Sequence, residues 1–275
     1  MTKSVFIDFD GTLADHGRVP LAHLDAIHRA REAGHRIFLC TGRPKALVPE
    51  RFRHSVFDGL ICAAGGYVEV DGQVLADVRY PSDLAAKTSS LLVAHNATFL
   101  MEAPDRLLTS PYSAERVRIA FRPLMKSGDE QGQHEDLLSS LEVHEDLSSC
   151  SFSKVSVVDS PILVTQLAEM IGTEIGALPN SVTGGSGHAG ELYLRGVDKS
   201  LGIATVEAHL GLSRTDIVAI GDGMNDVEML AYAGISIAVE GAPADVLAVA
   251  QRTIPGPSED GIVRGFLDLG LISSH

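Results

Sequence analysis

Val5-Phe6-Ile7-Asp8-Phe9-Asp10-Gly11-Thr12 is an apolar run that ends in two carboxylates two residues apart. Carboxylates where a buried strand stops are costly unless a cation or hydrogen bonds hold them. Asp and Gly are also ordinary turn residues, so the segment taken alone is compatible with a plain turn. Read functionally, it offers a nucleophile and a proton-transfer partner. The same pattern recurs at Ile220-Gly221-Asp222-Gly223-Met224-Asn225-Asp226, where glycines permit close backbone approach. If both strands are central and parallel, Asp8, Asp10, Asp222 and Asp226 converge. Two unit charges 4 Å apart near a surface repel by about 4 kcal/mol. Four such acids therefore predict a bound divalent cation. With no Cys or His in either segment the ligands are all oxygen, which favours Mg²⁺.

Outward from these segments, strand and helix signals alternate. Pro20 fits a first helical position, Leu21, Leu24 and Ile27 follow at helical spacing, and Gly34 fits a stop. Strands are predicted at His35–Cys40 and Gly59–Cys62, with a Pro44-led helix between them. Asp71-Gly72 marks a hairpin. From Glu191 onward the rhythm returns, with a helix over Lys199–Leu210, a buried strand at Asp216–Ile220 and a last helix over Asp260–Leu269. Such alternation predicts a parallel sheet with helices on both faces and ligands beyond the carboxyl ends of its strands.

The middle of the chain breaks the rhythm. Gly128 to Asp146 holds seven acids and no Lys or Arg, and His-Glu-Asp-Leu occurs there at 134–137 and 144–147. A solvated face explains both without a metal site. Strand candidates at Thr98–Met101 and Lys154–Val158, and helices at Leu84–Ala94 and Ile162–Ile171, suggest a small α+β insertion. The expected division is a discontinuous core, 1–81 with 189–275, and an inserted domain, 82–188, with hinges near Tyr80–Ser82 and Gly185–Gly190.

Two further segments suit a phosphate. Leu39-Cys40-Thr41-Gly42-Arg43-Pro44 reads as strand, hydroxyl, then helix start, where backbone N–H groups bind anions; an N-cap is the plainer reading. Lys199 opens a helix, where the dipole disfavours a cation. That mismatch is what an ammonium facing phosphate and carboxylates would produce, although a surface lysine is the plainer alternative.

Taken together and in this order, the four segments resemble the haloacid dehalogenase (HAD) superfamily. Asp8-x-Asp10-Gly11-Thr12 is similar to its first motif, Thr41 to its second, Lys199 to its third, and Gly221-Asp222-Gly223-x-Asn225-Asp226 to its fourth. The insertion is similar to the type IIB cap of the Cof-like sugar-phosphate phosphatases. The resemblance implies a Rossmann-like parallel-sheet core with an inserted α+β cap of type C2B. It also implies a Mg²⁺-dependent phosphatase of small phosphorylated metabolites. In that scheme Asp8 attacks phosphorus and becomes an aspartyl phosphate, and Asp10 protonates the leaving oxygen and then activates water. Asp8, the Asp10 backbone carbonyl, Asp222 and Asp226 would hold the metal. Thr41, Gly42, Lys199 and Asn225 would hold the phosphoryl oxygens. Arg43 and His188, with Asp15 and His16, are candidates to reach the cleft. A phosphomutase on the same scaffold, or an idle phosphate-binding regulatory protein, are the alternatives. The sequence departs from the pattern after the third strand, where Ala64 stands in place of the usual Asn.

Composition narrows the partners. The chain has 275 residues, with 22 Lys plus Arg against 36 Asp plus Glu, a net charge of −14. That charge repels phosphate backbones and anionic lipid, so nucleic-acid and membrane-surface binding are not expected. No apolar stretch approaches the ~18 residues of a membrane span. The N-terminus meets Asp8 too early for a secretory signal. Three scattered cysteines form neither a disulfide framework nor a metal motif and suit reduced thiols in the cytoplasm. Gly185-Ser186-Gly187-His188-Ala189-Gly190 mimics a dinucleotide fingerprint, but a strand pattern rather than a helix follows it.

Overall fold

The computed structural model describes residues 2–53, 55–121, 137–179 and 187–273. In chain order the elements begin with β1 (Ser4–Ile7), α1 (Leu21–Glu32), β2 (Arg36–Cys40), α2 (Glu50–Arg53), β3 (Gly59–Cys62), β4 (Tyr67–Val70) and β5 (Gln73–Asp77). Next come α3 (Ser82–Ala94), β6 (Thr98–Glu102), β7 (Leu107–Thr109), α4 (Pro111–Phe121), β8 (Leu141–Val143), β9 (Lys154–Asp159), α5 (Val164–Ile171), β10 (Ile175–Pro179) and β11 (Gly190–Leu194). The chain closes with α6 (Lys199–Leu210), β12 (Ile217–Gly221), α7 (Val227–Tyr232), β13 (Ile235–Val239), α8 (Ala244–Val249), β14 (Arg252–Ile254) and α9 (Gly261–Asp268).

These elements form two compact units, one of Met1–Arg43, Val48–Ala76 and Asp198–His275, the other of Pro44–Leu47 and Asp77–Val197. The first unit holds an eight-stranded sheet in the order β14-β13-β12-β1-β2-β3-β4-β5. Pairing is parallel from β14 to β3 and turns antiparallel at β4. Both faces are covered, as strands buried on two sides require. Val5, Ile7, Ile37, Leu39, Val218 and Ile220 point to one face, where they pack with Ala26, Ile27, Ile262 and Phe266 of α1 and α9. Their alternates Phe6, Phe38, Cys40, Ile61 and Ala219 pack with Ile203, Val206 and Met229 of α6 and α7 on the other face.

The second unit carries a six-stranded sheet in the order β10-β11-β9-β6-β7-β8. Phe99, Met101, Val155, Val157 and Leu192 form one core with Leu92 of α3 and with Val164, Leu167 and Ile171 of α5. The expected boundaries therefore shift. β11, predicted as a core strand, pairs antiparallel with β9 and β10 and belongs to the insertion. Its alternating pattern would suit either sheet, and only its pairing partners decide. The expected Pro44-led helix is a short 3-10 turn, Lys45–Leu47. Residues 134–136 of the first His-Glu-Asp-Leu, and Gly185 and Ser186, lie outside the described residues. In the second tetrapeptide His144 pairs with Glu142, its Nε2 lying 2.8 Å from Oε1. No helix among the described residues is long and apolar enough to cross a membrane.

His23 in α1 ties the loop after β1 to the first turn of α9. Its Nδ1 lies 2.9 Å from the Leu13 carbonyl, and the Ile262 N–H donates to Nε2 across 3.4 Å. A carbonyl needs a donor and an N–H needs an acceptor, so the ring is held neutral with its proton on Nδ1. Burial, partly opposed by the Leu13 carbonyl and Asp260, holds its pKa below 6.5. The unfolded chain takes up a proton near pH 6.5 that the folded ring resists. The contribution of His23 to stability is therefore level above about pH 6.5 and falls below it. Urea midpoints at pH 7.5 and 5.5 should differ less in His23→Gln than in the parent; an equal slope would refute the neutral assignment.

Backbone strain collects after β3. Ala63 and Ala64 both have positive φ, 49° and 52°, and Gly65 follows at 100°. Their amides are used, Ala63 N–H donating to Arg43 O at 2.8 Å and Ala64 N–H to Thr41 O at 3.1 Å. The left-handed region costs a residue with a Cβ about 1–2 kcal/mol. Ala64→Gly should therefore raise stability by about 0.5–1 kcal/mol once the added unfolded-state entropy is counted, read as a higher urea midpoint.

Candidate active site

Three neighbouring parallel strands deliver the acids and the hydroxyl. β1 pairs with β12 on one side, Ile7 opposite Ile220, and with β2 on the other, Ile7 opposite Leu39. Asp8, Asp222 and Thr41 therefore all leave the sheet at its carboxyl edge. Asp8 N–H donates to Ile220 O at 2.9 Å, which fixes the nucleophile candidate to the adjacent strand.

Lys199 lies in the middle of the acids. Asp198 caps α6 by accepting from Ser200 N–H at 2.8 Å and Leu201 N–H at 3.2 Å, leaving Lys199 as the first helical residue. Its side chain is fully buried, and its Nζ bonds Asp8 Oδ1 at 2.5 Å and Asp226 Oδ1. Burial disfavours the ammonium, but the carboxylates of Asp226 and Asp8 outweigh that and raise its pKa. Asp226 Oδ2 accepts from the N–H groups of Asp222 and Gly223, at 2.9 and 2.8 Å. Asp222 Oδ1 accepts from Thr12 Oγ1 at 2.6 Å. Gly11, at φ 85°, runs so close that a Cβ there would overlap the Asp222 carboxylate.

One oxygen each from Asp8, Asp222 and Asp226 lies within 4.8 Å of the others. Three carboxylates face one ammonium, so the site carries excess negative charge. Asp8 titrates well above the usual carboxylate range, through burial first and then the repulsion of Asp226, with Lys199 opposing. Asp222 is also raised, by burial and then by Asp226, with the Thr12 hydroxyl opposing. A hard divalent cation relieves such a set, and its all-oxygen chemistry fits Mg²⁺.

The other predicted residues distribute as follows. Thr41 is buried and its Oγ1 accepts from Arg43 N–H at 3.1 Å. Gly42 faces Asn225, whose Nδ2 would be 3.1 Å from a Cβ at position 42. The second and fourth segments therefore meet. The Asp10 side chain is half-exposed and is not one of the three clustered acids. Arg43 grips it with two bonds, Nε to Oδ2 at 2.7 Å and Nη2 to Oδ1 at 2.6 Å, and stacks 4.7 Å over Phe9. His188 belongs to the second unit, with Nδ1 2.8 Å from Ser160 O. Asp15 and His16 are exposed. The grip on Asp222 by Thr12 went unread in the sequence; its signal was the hydroxyl two residues after Asp10.

A doubly covered parallel sheet with acids, hydroxyl and buried lysine at one carboxyl edge defines a Rossmann-like α/β scaffold of the HAD kind. The haloacid dehalogenase-like hydrolase family matches residues 5–266, and the chain belongs to that family. It is similar to a phosphoglycolate phosphatase of Methanoculleus marisnigri, 25% identical over 98% of this chain and 95% of that one. It is also similar to the 5-amino-6-(5-phospho-D-ribitylamino)uracil phosphatase YbjI of Escherichia coli, 25% identical over 95% of this chain and 93% of that one. Among solved structures it shares the fold of a HAD subclass IIB sugar phosphatase, with a TM-score of 0.79 at 23% identity, over 98% of this chain and all of that one.

Lys199→Met should leave the acid cluster without its ammonium. In metal-free buffer at pH 7 the expected loss is about 3–5 kcal/mol of unfolding free energy. The loss should shrink toward pH 5 as the carboxylates take up protons, and added Mg²⁺ should recover part of it. A loss that does not change with pH would contradict the assignment of Lys199 as counter-charge.

Proposed function

We propose that this hydrolase is a Mg²⁺-dependent phosphatase that removes phosphate from small phosphorylated metabolites, sugar phosphates among them, through an aspartyl phosphate on Asp8. The observation that carries this reading is the buried Asp8 carboxylate held at 2.5 Å by Lys199 within a three-acid, all-oxygen cluster. The names of the phosphoglycolate and 5-amino-6-(5-phospho-D-ribitylamino)uracil phosphatases that the chain is similar to support the substrate class.

In this reading an Asp8 oxygen forms the new bond to phosphorus while the bond to the leaving oxygen breaks. Asp10 gives the departing alkoxide its proton, then takes one from the water that cleaves the acyl phosphate. Those steps return Asp8 as a carboxylate and release phosphate. For Asp10 to face the leaving oxygen, the Arg43–Asp10 pair opens. Thr41, Gly42, Asn225 and Lys199 orient the phosphoryl oxygens and neutralise their charge, which is most of what phosphoryl transfer requires. Asp8, the Asp10 carbonyl, Asp222 and Asp226 would hold Mg²⁺, which supplies Lewis-acid stabilisation of the developing charge when bound. The inserted unit is read as the cap domain. Ala64 offers this loop no polar side chain, so substrate selection falls to other residues.

Asp8→Asn should cut release of phosphate from a generic aryl phosphate by roughly 10³-fold or more, with folding intact by circular dichroism. Chelation should abolish the parent activity and Mg²⁺ should restore it. Unchanged turnover in Asp8→Asn would overturn the nucleophile assignment.

A further inference from the structure

The second unit carries a groove of about 780 Å³, within the size range of small-ligand sites. Its walls are the start of α3, the turn Ile171–Glu174 after α5, and the segment Leu194–Val197 after β11. Three cations from separate segments line it, Arg79, Lys87 and Arg195, against two acids, Asp83 and Glu174. That balance reverses the sign of a chain whose net charge is −14.

The side chains are engaged to different degrees. Arg79 is committed, with Nε and Nη2 on Asp77 at 2.5 and 2.7 Å and Nη1 on Ser151 O at 3.0 Å. Arg195 is anchored by a single bond, Nε to Thr173 O at 3.1 Å, which holds the guanidinium and leaves its two terminal nitrogens for a ligand. Lys87, exposed on α3, has no hydrogen bond or ion pair among the described residues. The acids are turned to local groups. Asp83 Oδ1 accepts from Ser82 Oγ at 3.4 Å, and Glu174 Oε2 lies beside Thr173 Oγ1 at 3.4 Å. The donors left over are thus cationic and come from two facing segments.

We propose that this groove is a second ligand site, taking a small anionic metabolite that carries phosphoryl groups or paired carboxylates between Lys87 and Arg195. All its residues belong to the second unit, whereas the acid cluster is built from the first, so the proposal does not depend on the chemistry assigned to Asp8. Charge-assisted bonds from a forked guanidinium and an ammonium suit such groups better than a neutral sugar or a peptide. Arg79 and Arg195 also lie close to the two places where the chain passes between units, Ala76 to Asp77 and Val197 to Asp198.

The test uses the full chain in metal-free buffer, titrated separately with methylenediphosphonate and with citrate, and followed by calorimetry and amide NMR. We expect saturable binding with shifts at Gly172, Thr173 and Arg195. The double variant Lys87→Ala/Arg195→Ala should bind at least 10-fold more weakly, while its turnover of an aryl phosphate, assayed separately with Mg²⁺ added, stays within twofold of the parent. Glu174→Gln should bind more tightly. The tighter of the two probes identifies the ligand as phosphoryl or carboxylate. No saturable binding, equal affinity in the double variant, or shifts confined to Asp8, Thr41 and Asp222 would each overturn the proposal.

Discussion

The buried ammonium of Lys199 is the constraint around which the first unit is organised. An isolated charge at that depth would be prohibitively costly, and so would the carboxylates of Asp8 and Asp226 beside it. Each is tolerated because the others are present. The arrangement demands that β1, β12 and the start of α6 meet to within a few ångströms, although they are far apart in sequence. One positive charge among three acids leaves the cluster short of neutrality, a deficit that a bound cation would relieve.

The sheet supplies the precision. Parallel strands in register place residues that follow β1, β2 and β12 side by side, and the backbone of β12 itself fastens Asp8. Small details then close the cluster. Gly11 yields space to the Asp222 carboxylate, Thr12 orients it, and the amides of Asp222 and Gly223 hold Asp226. The positions of the clustered acids are thus set by the sheet and by the backbone around them.

The chain announces some of this openly. Apolar runs that stop at Asp8 and at Asp222 are visible in one dimension, because a strand end is a local event. Lys199 was legible as a violation of the helix dipole, a local mismatch that burial among carboxylates resolves. What was not legible depends on distant partners. Gly190–Leu194 has the alternation of a strand but nothing that says which sheet it joins, and the domain boundary slipped accordingly. The paired hydrogen bonds between Arg43 and Asp10 join residues 33 positions apart, and no pattern in either segment signals them. The left-handed pair Ala63-Ala64 hides because alanine carries none of the usual marks of that conformation.

The sheet order has a consequence for how the protein comes off the ribosome. β1 lies between β2 and β12, so its second edge finds no neighbour until Ile217–Gly221 has been synthesised. The inserted unit's sheet strands and covering helices, in contrast, form one continuous stretch that emerges whole in the meantime. During that interval the exposed edge of β1 is open to mispairing, and long-range closures of this kind are slow to form. Translation from the N-terminus thus favours an insertion that matures early and a hydrolase core that is completed last.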